Sequence, residues 1–272
     1  MGQIQIGPAA KMKTLLTGVA MGESPRWHDG RLWFSDWGAQ EIVAVDAQGK
    51  REVVRRVPFE LPFSFDWLPS GRLLVIAGRE GRIYDDYADL TALAPGWNEI
   101  VVDGRGNTYV NGSGAVALVR PDGSVERVGD GGAFPNGMAV TPDNATLILA
   151  ESYARQLAAF DIAADGTLSN RRTWAALGNG VPDGICMDTD GAVWYADVPN
   201  KCCVRVREGG DVLDKVQLDR GGFACMLGGA DGRTLYIVAN EWRGMDKVAE
   251  VAAARTGQIL TFDAPSPHAG WP

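Results

Sequence analysis

The sequence predicts an all-β chain, a six-bladed β-propeller with four antiparallel strands per blade. Three observations carry that expectation. First, six stretches repeat one shape, an apolar strand, a tight turn and a strand rich in aliphatics and aromatics. They are "ESPRWHDGRLWFSD", "FSFDWLPSGRLLVIA", "NEIVVDGRGNTYVN", "NGMAVTPDNATLILA", "DGICMDTDGAVWYAD" and "ACMLGGADGRTLYIV". Second, their turn residues Gly30, Gly71, Gly106, Asn144, Gly191 and Gly232 follow at steps of 41, 35, 38, 47 and 41 residues, the spacing of a four-stranded blade. Third, no long amphipathic helical pattern interrupts them. The alternatives are a two-sheet sandwich with an extension, or a β-helix, whose repeats are much shorter.

Gly or Asn at each turn suits the positive φ of a tight hairpin. The first blade reads as strands Pro25–Trp27, Leu32–Ser35, Ile42–Val45 and Val53–Val57, separated by "HDG", "WGAQ" and "AQGK". The chain reads as one domain, 1–272, with blades over about 20–60, 61–95, 96–133, 134–180, 181–221 and 222–265. A ring must close or leave raw strand edges. The segment "KMKTLLTGV" is expected to pair with a hairpin in "EVAAARTGQILTFD".

Hydrophobic residues make up 46% and charged residues 22%, as in an ordinary globular protein. A net charge of −8 argues against nucleic acid or anionic membrane as partners, since both need basic patches. With 2 His, a three-His metal site is excluded. His28 reads as a solvated turn residue, and His268 sits in a Pro-rich tail. The 4 Cys (Cys186, Cys202, Cys203, Cys225) form no CxxC pair and read as reduced core thiols of a cytoplasmic protein. No apolar run suggests a membrane span. "MKTLLTGVAMG" is interrupted by Gly and Thr, so no signal peptide is expected, and "MGQIQI" lacks the Ser/Thr that myristoylation needs.

Counting eight residues back from Gly106, Asn144 and Gly191 gives Asn98, Asn136 and Asp183. The same count gives Phe63 in blade two and Ala224 in blade six, and seven back from Gly30 gives Glu23. The first strand of every propeller blade lines the central channel, so these positions converge near one end of the axis. Glu23, Asn98, Asn136 and Asp183 all bear oxygen. Packed together dry, they would repel or stay unsatisfied. One divalent cation resolves this, and hard oxygens favour Ca2+, with Mg2+, Mn2+ or Zn2+ as alternatives.

"GESPRW", "PNGMAVTPDN" and "VPDGICMDTDGAVWYAD" resemble the senescence marker protein-30/gluconolactonase family, and "SPHAGWP" is in keeping with it. The resemblance covers essentially the whole chain. It implies a six-bladed propeller with one catalytic divalent cation in the channel, held by Glu23, Asn136 and Asp183. It implies that Asn98 lies near metal and substrate, and that Asp183 is the general base. Sugar-lactonase members of the family carry an Arg two residues before the blade-three Asn, where this chain has Gly96 followed by Trp97. With Phe63 and Phe134 in register nearby, the expected pocket is apolar, and the substrate is a small lactone or ester less polar than a sugar lactone.

In that reading the cation polarises a carbonyl and Asp183 takes a proton from the attacking water. Other motifs carry less. Ser24 lacks the second Gly of a nucleophile elbow. "GGAFPNG" and "DRGGF" open no helix and so are not phosphate loops. "YDDYAD" reads as a solvated loop. Glu151, Asp197 and Asn240-Glu241 end the second strands of their blades, and Trp242 is placed to cover the pocket. The competing function is a non-enzymatic propeller that binds a partner with a structural cation. A strictosidine synthase-like joining enzyme is a third option. Oligomeric state is not legible.

Overall fold

The computed structural model describes residues 12–85 and 87–272. The "MGQIQI" stretch and Lys11 of the expected closing segment lie outside the described residues. Six small antiparallel sheets follow one another along the chain, the first five hydrogen-bonded in sequence order from the inner strand outwards and the sixth completed by a strand from the beginning of the described chain. The inner strands are Gly22–His28, Phe63–Trp67, Glu99–Val102, Pro135–Val140, Pro182–Asp188 and Gly221–Gly228. Each packs against the next around a common axis, and the sixth meets the first. This is the six-bladed propeller read from the repeat.

The repeat reflects backbone sterics. All six turn residues have positive φ, from 57° at Asn144 to 86° at Gly106. That conformation costs L-residues energy, and Gly or Asn tolerates it best. The core lies between blades rather than at the axis. Leu74, Ile76, Ile100 and Val110 fill the gap between blades two and three, and Val101, Tyr109, Met138 and Leu149 fill the next.

Ring closure joins the two ends of the described chain. Lys13–Val19 pairs with Gly257–Asp263 as the outermost strand of blade six. The other half of the expected closing hairpin is not a strand. Val248–Ala254 is a short α-helix, ended by Arg255 in the left-handed conformation. Four of its seven residues are Ala, the strongest helix former, and no cross-strand partner competes for them.

"YDDYAD" also departs from the loop reading. Ala88–Asp89 is the outer strand of blade two, and the Tyr84 ring packs on Phe59 at 4.5 Å. Its Asp86 is outside the described residues. His28 is not a simple solvated turn residue either. Its ring stacks on Trp67 of blade two at 3.9 Å, because aromatic faces pair across the blade interface. All four cysteines are free and buried. Among the described residues, no helix is long and apolar enough to cross a membrane.

The two ends of the axis differ. At the hairpin end, His268–Ala269 pairs with Met187 and Asp188 as a fifth strand beside blade five. Trp271 then exchanges backbone hydrogen bonds with Val140 of blade four, at 2.7 and 2.9 Å. The tail thus crosses the ends of two inner strands. At the opposite end lie the starts of the inner strands, where Asn98, Asn136 and Asp183 keep partial exposure.

Candidate functional site

Local backbone irregularity builds the site. In blades four and five, pairing of the first two strands skips one residue, between Pro135 and Met138 and between Pro182 and Ile185. The skipped stretches are Asn136-Gly137 and Asp183-Gly184. A β-bulge of this kind re-aims the side chain it carries. Blade one bulges one pair further along its strand, between Glu23 and Arg26. Blades two and three pair without a shift.

The bulges of blades four and five need their glycines. A Cβ on Gly184 would lie 2.3 Å from the Ala224 Cβ, and one on Gly137 would lie 2.6 Å from the Ile185 backbone nitrogen. The inner strands approach too closely at the axis for any larger residue. "PNG" and "PDG" therefore combine a polar group, aimed by the bulge, with a glycine that lets the neighbouring blade close in.

Glu23 is buried at 5% exposure, whereas Asn98, Asn136 and Asp183 are only half-buried. The group thus has a closed side and an open side. The Asn98 Nδ2 donates to Asn136 Oδ1 at 3.4 Å, and the Asn136 Nδ2 to Ser152 Oγ at 3.4 Å. The Ser152 hydroxyl donates to the Pro182 carbonyl at 2.6 Å, and the Asn111 Nδ2 to the Asn136 carbonyl at 2.5 Å. Burial, then the charges of Asp183 and Glu99, holds the Glu23 carboxyl well above the usual range. Burial, then Glu99 and Asp197, does the same to Asp183, while a hydrogen bond from Asn136 pulls the other way. The structure thus brings Glu23, Asn98, Asn136 and Asp183 into one group.

Register places blade six differently from the eight-residue count. Its first hairpin has longer strands, the second running seven residues, Thr234–Asn240, against five in blade five, Val193–Asp197, and pairing aligns Asn240 with Gly221, as Asp197 pairs with Pro182. The counterpart of Asp183 is therefore Gly222, not Ala224. Two predicted pocket residues are also corrected. Phe63 is fully buried between blades one and two, packed edge-on to Phe59 at 5.5 Å. Trp97 is 2% exposed among Leu74, Ile76 and Ile100. Without a bulge, strand alternation turns both rings sideways into the blade interface, where they meet apolar neighbours. Phe134 is different, 47% exposed at the rim beside Asn136. Trp242 is part-exposed and stands edge-on to Phe223 at 5.6 Å.

The sequence reading missed the charged layer beneath the group. Glu99, next to Asn98, accepts from Arg26 Nη2 at 2.6 Å, Ser64 Oγ at 2.6 Å and Ser24 Oγ at 3.0 Å. Arg26 also donates to the Ile100 and Pro25 carbonyls, and its Nε stands 3.9 Å from Asp66. Burial pushes the Asp66 carboxyl up to about 6 even though Arg26 opposes it. Blades one, two and three each place an ionisable side chain inside an apolar inner strand, namely Arg26, Asp66 and Glu99. That pattern was visible in "SPRW", "SFDW" and "WNEI", and only their pairing is non-local. A cavity of about 10 Å³, lined by Arg26, Glu99, Gly137 and Gly184 among others, lies in this layer and has room for one water.

The donor set fits a hard divalent cation. Two carboxylates and two amide oxygens converge, and their charges are held together against strong mutual repulsion. Glu23, Asp66 and Glu99 gather around one guanidinium, that of Arg26, and Asp183 has no such counter-charge beside it among the described residues. Among the described residues, no three His, Cys, Asp or Glu side chains form a metal cluster by themselves, so any cation here depends on amide oxygens. A larger hollow of about 270 Å³ lies at the hairpin end between blades four and five. Its Arg172 is already engaged by Asp161 at 2.6 Å and its Asp188 by Arg205 at 2.7 Å.

Comparison with known proteins agrees with this architecture. Regucalcin of Xenopus laevis is 28% identical over 270 residues, covering 88% of this chain and 89% of that protein. Pentonolactonase XacC of Haloferax volcanii is 25% identical over 246 residues, covering 81% and 82%. The crystal structure of a calcium-binding protein, regucalcin, from Agrobacterium tumefaciens superposes with a TM-score of 0.77 at 18% identity, covering 96% of this chain and 95% of that one. Residues 21–241 match the family described as the SMP-30/gluconolactonase/LRE-like region. With 28% identity over most of its length and that match across both the bulged and the regular blades, the chain belongs to the SMP-30/gluconolactonase/LRE-like family.

Proposed function

We propose that the protein hydrolyses a lactone or ester with one divalent cation held by Glu23, Asn136 and Asp183, and Asn98 beside it. The observation that carries this reading is the convergence of four oxygen-bearing side chains, closed beneath and open above. A purely structural ion would be enclosed on all sides. A lactonase among the relatives supports the same reaction class. Ca2+ is the first choice, with Mg2+, Mn2+ or Zn2+ as alternatives. Once bound, the cation supplies Lewis acidity to a carbonyl.

The chain's own groups supply the rest. Asp183 faces the opening and takes the proton of the attacking water. Water oxygen bonds to the carbonyl carbon, the acyl–oxygen bond breaks, and the departing alkoxide recovers the proton from Asp183. The product is a hydroxy acid, or an acid and an alcohol. The side-chain amides of Asn98 and Asn136 offer N–H donors to the oxygen on which negative charge develops. The arginine-free start of blade three and the exposed Phe134 support a substrate less polar than a sugar lactone. Four unpaired buried thiols support a cytoplasmic location.

A panel of lactones and aryl esters, assayed with and without chelator, tests the proposal. Turnover that chelator removes and a divalent cation restores supports it. No turnover across the panel rejects it in favour of a binding propeller with a structural ion.

A further inference from the structure

The proposed base in blade five lies between two aromatic pairs. On the blade-four side, the rings of Phe134 and Tyr153 stack at 4.4 Å with an interplanar angle of 23°. On the blade-six side, Phe223 and Trp242 meet edge-on. The blade-four pair is the unusual one. Tyr153 is 72% exposed, so both rings present surface to solvent although nothing in the core needs them there. Phe134 has φ of 61°, a left-handed conformation that aromatic residues seldom adopt. The backbone is fastened in that state. Ser152 N–H donates to the Phe134 carbonyl at 3.1 Å, and Tyr153 N–H to the Ala133 carbonyl at 3.2 Å. The same Ser152 carries the hydroxyl that meets Asn136. The shelf and the candidate ligand are therefore fixed to each other through one short hydrogen-bonded loop. Strain of this kind at a functional rim is retained where its product is used.

We infer that Phe134 and Tyr153 form a stacking platform that selects lactones or esters bearing a planar aromatic ring. The inference rests on the hydrolase reading for the reaction, but the platform itself is a statement about binding. A polyol ring needs donors and acceptors around its edge. The two aromatic pairs together bring one phenol hydroxyl and one indole N–H, while Gly96 brings no side chain. An aryl group needs only a flat apolar face beside the carbonyl, and that is what the pair offers.

The test compares substrates that differ only in the group to be stacked. γ-Phenyl-γ-butyrolactone and γ-valerolactone carry phenyl or methyl at the same ring carbon. The metal-loaded protein is expected to prefer the phenyl lactone in kcat/KM. Tyr153→Ala and Phe134→Ala are each expected to cut that preference about tenfold, mainly through KM, and Tyr153→Phe to keep it. The lactam isosteres 5-phenyl-2-pyrrolidinone and 5-methyl-2-pyrrolidinone, which are not turned over, give the same comparison by calorimetry. If the phenyl lactam binds no tighter than the methyl lactam, or if its advantage survives Tyr153→Ala, the platform is overturned. If the advantage is present and lost in Tyr153→Ala while no lactone is turned over, the platform stands and the hydrolase reading falls.

Discussion

Blades two and five begin with the same problem and solve it differently. Each inner strand must place a side chain near the axis while its other residues fill the gaps between blades. Blade two runs in regular register from Phe63 to Trp67, and its first ring is packed away from the axis. Blade five skips a residue after Pro182, and its carboxylate faces the opening. The sequences differ by little more than "PFSF" against "PDGI". A polar residue is therefore not enough to make a site. In blades four and five it is joined by a backbone irregularity that aims it and a glycine small enough to let the next blade approach.

The largest expected break in this contrast is functional. Asp183→Ala should lower kcat/KM by about 10³-fold or more, with an unchanged circular dichroism spectrum. Phe63→Leu, at the matching count in blade two, should leave turnover within about threefold and lower Tm instead. Equal losses in the two variants would erase the distinction between the blades.

Glu99→Gln comes next. It leaves Arg26 buried with its nearest counter-charge gone, a change that costs about 3–5 kcal/mol in other buried pairs. Urea unfolding should show a loss of that order, and a change below about 1 kcal/mol would mean that the serines and Asp66 hold Arg26 adequately. Gly184→Ala should cost about 1–3 kcal/mol, since its Cβ collides with Ala224. Gly71→Ala, where nothing lies within 4 Å, should cost about 1 kcal/mol or less, from its positive φ alone.

The smallest effect is a slope. The Asp66 carboxyl, raised to about 6, binds its proton more tightly in the native state than in the unfolded chain. Its contribution to stability is therefore full at low pH and falls as pH rises from about 4 to about 6, by at most about 1.4 kcal/mol per pH unit. Asp66→Asn should flatten that segment of the stability–pH curve. An unchanged slope would show that Arg26 keeps Asp66 ionised throughout.

The fold was legible because its signals are local and repeated. Positive φ demands Gly or Asn at six turns, and equal spacing aligned Glu23, Asn98, Asn136 and Asp183. Whatever depended on distant neighbours was not legible. Blade six lost its register because its second strand is two residues longer than that of blade five and shifts the count by two, so Ala224 was named where Gly222 stands. Phe63 and Trp97 were placed at the mouth because the absence of a bulge in blades two and three leaves no mark in sequence. The Arg26–Glu99 pair joins residues 73 apart, and neither flank announces the other. The helix at Val248–Ala254 was legible in its alanines, and was passed over in favour of a strand partner that Gly257–Asp263 provides alone.

The closing strand has a consequence for how the protein is made. Lys13–Val19 leaves the ribosome well before the strand it pairs with, Gly257–Asp263, which lies five blades further along the chain. Until Gly257–Asp263 emerges that strand waits with unpaired amides, and the nascent propeller is an open arc whose blade edges invite pairing with other chains. A cell that makes this protein must therefore shelter a sticky edge until the closing strand has emerged, and a chain stopped short of residue 257 would keep that edge for good.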